Sequence, residues 1–120
     1  MNAVAAGMPL KISATIGKSK LSFLIDTGST ISLIPNDSVK YCNLRPTGLA
    51  LTNPSGTNIK CYELDAHISI SSIRRSFQWT FVIADVVQTN LGLDFLSNYF
   101  LLIDCSNNTL VDSVAQAKVN

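Results

Sequence analysis

A mostly β fold with one short helix is what this sequence predicts, and three observations predict it. Apolar residues alternate with polar ones in short runs, turn residues punctuate those runs at close spacing, and a single stretch near the C-terminus sets apolar residues on a helical face. The chain has 120 residues, enough for one domain with a real core and too few for two. Apolar residues make up 47% and charged residues only 14%. That balance suits a compact domain that hides part of its surface against another copy of itself.

Leu10, Ile12, Ala14 and Ile16 alternate with polar residues, which is the period of a half-buried strand. Gly17-Lys18-Ser19-Lys20 is a polar turn, and residues 21–25 return as a second strand, so a hairpin leads straight into Asp26. Residues 31–34 are strand-like again. Pro35-Asn36-Asp37 then stops the strand and opens a short helical turn through Tyr41, with Asn36 or Asp37 as cap.

Residues 49–52 and 57–62 flank Asn53-Pro54-Ser55-Gly56, whose Asn, Pro and Gly stand where a type I turn prefers them. The tip of this hairpin carries little apolar surface, packs little core and should therefore move. Two longer strands follow, 64–70 and 77–83, joined by residues 71–76. Asp94 is expected to cap a short helix through Tyr99, with Phe95, Leu96 and Tyr99 on one face. Residues 100–105 and 109–111 form a last hairpin around Ser106-Asn107-Asn108. The chain thus divides into a flexible leader (1–9), a folded domain (10–112) and a tail (113–120) expected to fray.

Composition excludes several function classes. Formal net charge is +1 and the basic residues are scattered, with only Arg74 and Arg75 adjacent, so no nucleic-acid surface is expected. Cys42, Cys61 and Cys105 are odd in number and lack CxxC spacing, and His67 is the lone histidine. No metal and no other cofactor is expected, and the thiols read as reduced, buried, small apolar residues of an intracellular, cytoplasmic protein. No apolar stretch approaches the roughly 18 residues of a membrane span. Residues 1–7 are too short and uncharged for a signal peptide.

The stretch that organises the chain is Phe23-Leu24-Ile25-Asp26-Thr27-Gly28-Ser29-Thr30. An apolar strand delivers one carboxylate to a sharp turn, a costly place for a charge without partners. Thr27, Ser29 and Thr30 offer hydroxyls, and Gly28 permits a close backbone approach. A supported, reactive acid can be built this way. His67, on an alternating face with Asp65 and Ser69, reads as exposed and structural, whereas Phe77, Trp79 and Phe81 share a core face. Asp65, Asp85 and Asp104 read as strand-edge or turn residues.

In order and context these segments resemble the retroviral-type aspartic proteases, the retropepsins, and within them the proteases of LTR-retrotransposon polyproteins. Residues 23–30 resemble the active-site loop, and residues 52–58 resemble the flap. Phe77-Gln78-Trp79-Thr80-Phe81-Val82-Ile83-Ala84-Asp85-Val86 and Leu91-Gly92-Leu93-Asp94-Phe95-Leu96 resemble the C-terminal half. The resemblance spans about residues 10–111 and implies a closed-barrel-like fold with a flap hairpin and one short C-terminal helix. It also implies an aspartic endopeptidase without metal or cofactor, cleaving a retroelement polyprotein in the cytoplasm or in virus-like particles.

That chemistry needs two carboxylates in contact, one ionised to deprotonate water and one protonated to polarise the carbonyl. The sequence has one Asp-Thr-Gly, so the second must come from another chain in a C2 homodimer. Asp26 is then the catalytic acid, supported by Thr27, Gly28 and Ser29. The resemblance further implies substrate contacts from Thr30 in the loop and from Ser55, Gly56 and Thr57 in the flap. Leu24, Leu33 and the segment from Gln88 to Asn90 are expected as pocket walls. Two positions depart from the retroviral pattern, where an Asp and an Arg pair near the interface; here they are Thr30 and Leu93. A different interface is implied, with the 100–111 hairpin supplying much of it. Two other readings stay open: a non-catalytic dimeric peptide-binding module, and a domesticated cellular protease of the same fold.

Overall fold

The computed structural model describes residues 9–38, 44–49, 51–52 and 54–114. The first two strands, β1 (Lys11–Ile16) and β2 (Ser19–Ile25), form the expected hairpin, turned at Gly17 with φ of +59°. Ile12, Ala14 and Ile16 point inward and their neighbours outward, as the alternation requires.

Next come β3 (Leu33–Pro35) and the two-residue β4 (Arg45–Pro46), then the small hairpin of β5 (Leu51–Thr52) with β6 (Asn58–Ile59). Two ten-residue strands, β7 (Cys61–Ile70) and β8 (Arg75–Ala84), pair along their whole length. A 3₁₀ turn, Ser71–Ile73, and Arg74 at φ of +53° connect them. β9 (Asn90–Leu91) precedes the short helix α1 (Leu93–Asn98), and β10 (Leu101–Asp104) pairs with β11 (Thr109–Asp112) in a hairpin of its own.

Six strands close into a barrel in the order β1, β2, β9, β3, β8, β7, with β7 returning to β1 through Ala14 opposite Ile70. Closure removes the open edges that would otherwise invite pairing with other chains. β4 adds to the outer side of β7. Phe23, Phe81, Phe95, Ile34, Ile68, Ile70, Ile83 and Leu91 are fully buried inside. Phe95 of α1 stops one end of the barrel, edge-on to Phe77 at 5.2 Å and to Trp79 at 5.5 Å between ring centroids.

Four expectations are corrected. The arm expected over residues 57–62 divides at Lys60: Asn58 and Ile59 stay with the small hairpin, while Cys61 turns inward and starts the barrel strand opposite Ala84. The strand after it is therefore longer than the pattern suggested. Asp94 does not cap the helix. Gly92 is the N-cap residue, and Asp94 lies in the first turn with its carboxylate turned to Ser32. Cys105 is exposed at the tip of the last hairpin, whereas Cys61 is buried as expected and Cys42 lies outside the described residues.

Ser38 N–H donates to the Pro35 carbonyl, but the rest of the helical turn expected through Tyr41 lies outside the described residues, as do residues 1–8, Asn53 and residues 115–120. Ser113 and Val114 are engaged by Phe100 O and Asp112 Oδ1. No helix among the described residues is long and apolar enough to cross a membrane.

Candidate active site

Asp26 sits where β2 leaves the barrel. Its N–H donates to Leu91 O at 2.9 Å, continuing the parallel pairing of Leu24 with Asn90 and Ile25 with Leu91. The strand therefore carries the acid to the mouth of the barrel and releases it there. The next residues turn at once, with Ser29 N–H donating to Asp26 O at 3.1 Å. Gly28 N–H donates to Asp26 Oδ1 at 3.0 Å, a bond that aims the carboxylate. A Cβ on Gly28 would stand 3.3 Å from that same oxygen, tighter than usual. Asp26 is half-buried, and Thr27, Gly28 and Thr30 are exposed.

The loop is latched from behind by residues 91–94. Ser29 O accepts Leu93 N–H at 2.8 Å, while Ser29 Oγ donates to Ile31 O at 2.8 Å. Gly92 passes so close that a Cβ there would lie 2.6 Å from Ile31 O and 2.8 Å from Ser29 O. Ser32, 1% exposed, donates through N–H and Oγ to Asp94, and its Oγ accepts Gly92 N–H at 2.9 Å. Thr30 is exposed and Leu93 is 41% exposed, so the tie stands two positions beyond Thr30, at Ser32, and one beyond Leu93, at Asp94.

Sequence reasoning did not find Ser32 or Asp94 as a pair. A signal existed: Ser32 is the polar residue inside the apolar run of residues 31–34, and a buried hydroxyl requires a partner.

The other expected residues separate into two groups. Leu24 and Leu33 are half-buried near the loop, and Gln88 is exposed, its Nε2 donating to Thr89 O. Asn90 is buried at 6%, and its Oδ1 accepts Leu33 N–H at 2.8 Å. It braces β3 from inside. Ser55, Gly56 and Thr57 form the exposed tip of the β5–β6 hairpin, turned at Gly56 with φ of +88°. Ser55 Oγ and Thr57 Oγ1 lie 3.3 Å apart across it. A hollow of about 450 Å³ lies at the hairpin's base against Leu49, Ile59 and Tyr62.

Among the described residues no group of three His, Cys, Asp or Glu side chains could hold a metal ion. His67 is exposed, and Phe77 and Phe81 are buried with Trp79 half-buried beside them, as expected. Asp65 is bound by Arg45 and Thr80, which hold its carboxyl below the usual range, and Asn107 and Ser106 do the same for Asp104. The residues gathered at the barrel mouth can therefore present one oriented carboxylate on a braced turn, with hydroxyls around it.

A family model described as aspartyl protease matches residues 12–95. The fold is similar to that of EIAV protease in complex with an inhibitor, with a TM-score of 0.64 and 21% sequence identity. That likeness covers 81% of this chain and 93% of the other. No curated protein sequence matches.

Proposed function

The chain belongs to the aspartyl protease family, and from that membership we propose that it acts as a homodimeric aspartic endopeptidase on a retroelement polyprotein. The observation that carries the reading is a single Asp-Thr-Gly whose carboxylate is oriented by Gly28 N–H on a turn braced by residues 91–94. One carboxylate cannot serve as both base and acid at the same moment. Two Asp26 side chains facing each other across a twofold axis can, because like charges in contact share one proton. The ionised member deprotonates water, the protonated member donates to the scissile carbonyl, and no covalent intermediate forms.

In this dimer Thr27, exposed beside Asp26, reaches the partner's loop, and Gly28 leaves room for the substrate backbone. The β5–β6 hairpin closes as a flap over an extended peptide, which adds as a strand between flap and floor. Ser55, Gly56 and Thr57 meet it from above. Leu24, Thr30, Leu33 and Gln88 meet its side chains, with Asn90 fixing Leu33 from within. Phe100 at 63% and Leu102 at 55% exposure make the outer side of the last hairpin an apolar surface suited to the second copy.

The test is incubation with a pool of peptides at mildly acidic pH, where one carboxylate of a pair stays protonated. Cleavage should be blocked by a pepstatin-type inhibitor and should fall off on dilution, since each chain holds half a site. Asp26→Asn should abolish it while sedimentation shows the same dimer. Cleavage by that variant refutes the assignment, and peptide binding without cleavage by the wild type favours a binding module.

A further inference from the structure

Asp94 stands in the first turn of a six-residue helix, yet its carboxylate serves a residue 62 positions away. Oδ2 accepts Ser32 N–H at 3.1 Å, and Oδ1 accepts Ser32 Oγ at 2.8 Å together with its neighbour's N–H, that of Phe95, at 2.8 Å. Ser32 is nearly inaccessible, so these bonds are made out of water, where a broken one is not replaced by solvent.

With Asp26 N–H on Leu91 O and Leu93 N–H on Ser29 O, the segment 91–94 holds the loop at its start, its middle and its end. Asp94 makes the end grip. The bond from Gly28 N–H to Asp26 Oδ1 is internal to the loop and sets the side chain only relative to its own turn. Where that turn stands on the barrel is decided by the three grips.

We infer that Asp94 is a positioning residue for the reaction, holding the Asp26 loop through Ser32 at the place where the carboxylate meets its twin. This rests on the reading of Asp26 as the catalytic acid. A misplacement of about 1 Å at a reacting group can lower the rate about a hundredfold, and Asp94 controls displacements of that size without touching substrate.

Asp94→Asn tests it. The amide keeps the outline, and its oxygen can still accept Ser32 Oγ and Phe95 N–H, but its NH₂ faces Ser32 N–H, donor against donor. Sites are counted by titration with a pepstatin-type inhibitor, so that misfolded protein is not scored as slow enzyme. The expected result is a roughly tenfold to hundredfold fall in kcat per titrated site with KM within about twofold. Amide hydrogen exchange at Asp26 and Leu93 should quicken. Ser32→Ala should do the same, and the double variant should be little worse than either single one, because both remove one link.

An unchanged kcat per site with unchanged exchange overturns the inference. So does a loss of titratable sites with kcat per site intact, which marks a purely structural role. If the wild type shows no inhibitor-sensitive cleavage, the assignment of Asp26 fails instead. Exchange at Asp26 and Leu93 then still decides whether Asp94 holds the loop.

Discussion

Replacing Gly92 by alanine should damage both stability and turnover, for a reason visible in three distances. The new Cβ would lie 2.6 Å from Ile31 O, 2.8 Å from Ser29 O and 2.9 Å from Ile31 C, all backbone atoms of the loop that follows Asp26. Ordinary contact begins at 3.4 Å, so the loop must retreat by about 0.8 Å. No flexible side-chain end is available to move in its place.

Backbone torsion is not the obstacle, since Gly92 has φ of −96°. The cost is overpacking, on the order of 1–3 kcal/mol. For a domain of this size that corresponds to a fall in melting temperature of roughly 3–6 °C per kcal/mol. The displaced loop carries Asp26, so kcat per titrated site should fall by about a hundredfold as well.

Thermal unfolding and inhibitor-titrated kinetics measure the two effects. Gly48→Ala is the control, because nothing lies within 4 Å of a Cβ there. Gly92→Ala with wild-type melting and turnover would refute the claim that residues 91–94 grip the loop.

Three further outcomes are expected. Arg75→Met should cost about 1–3 kcal/mol in chemical denaturation: it removes the ion pair to Asp112, whose side chain is 5% exposed, and a guanidinium stacked 4.7 Å from the Phe77 ring. Adding Asp112→Asn should recover part of that loss, since the buried side chain then carries no charge. Leu102→Asp should leave the melting of the isolated chain nearly unchanged, because Leu102 is exposed, while shifting sedimentation toward monomer and lowering activity in parallel; an unaltered dimer would remove the last hairpin from the interface. Arg45→Met should narrow the acid range of stability. Arg45 and then Thr80 hold the Asp65 carboxyl below its ordinary value, so the folded state gains stability above the unfolded pKa and loses it as pH falls through the lowered one. The difference in melting between wild type and variant should therefore be constant at neutral pH, persist at mildly acidic pH and vanish only in stronger acid. High salt should shrink it throughout, as the pair is exposed.

Much of the fold is legible in the order of the residues. The period of two at Ile12, Ala14 and Ile16 and the turn at Gly17 announced β1 and β2, because alternation and a left-handed glycine are local properties. The turn over residues 54–56 and the final hairpin were legible from their turn residues. The division of the 57–62 arm at Lys60 was not, since Ile59 and Cys61 are equally apolar in the sequence, and only pairing with β8 draws Cys61 inward. Asp94 looked like a cap for the same kind of reason. A short acidic residue ahead of an apolar helix is a local cap signal, and the competing partner, Ser32, was 62 residues distant.

What the sequence determined by itself was the presence of one reactive-looking acid, Asp26, between an apolar strand and a glycine turn, and the absence of a second copy. Those are facts about residue types and their order, and the proposed homodimer rests on them. Tertiary structure alone decided how that acid is held. The parallel pairing of β2 with β9 brings Leu91, Gly92, Leu93 and Asp94 against residues 26–32, and no local pattern encodes a contact across 60 residues of chain. The physical reason is burial. Once Ser32 and Gly92 are enclosed by the closing barrel, each hydroxyl and N–H must find its partner there, and the partners within reach are the ones that lock the Asp26 loop in place.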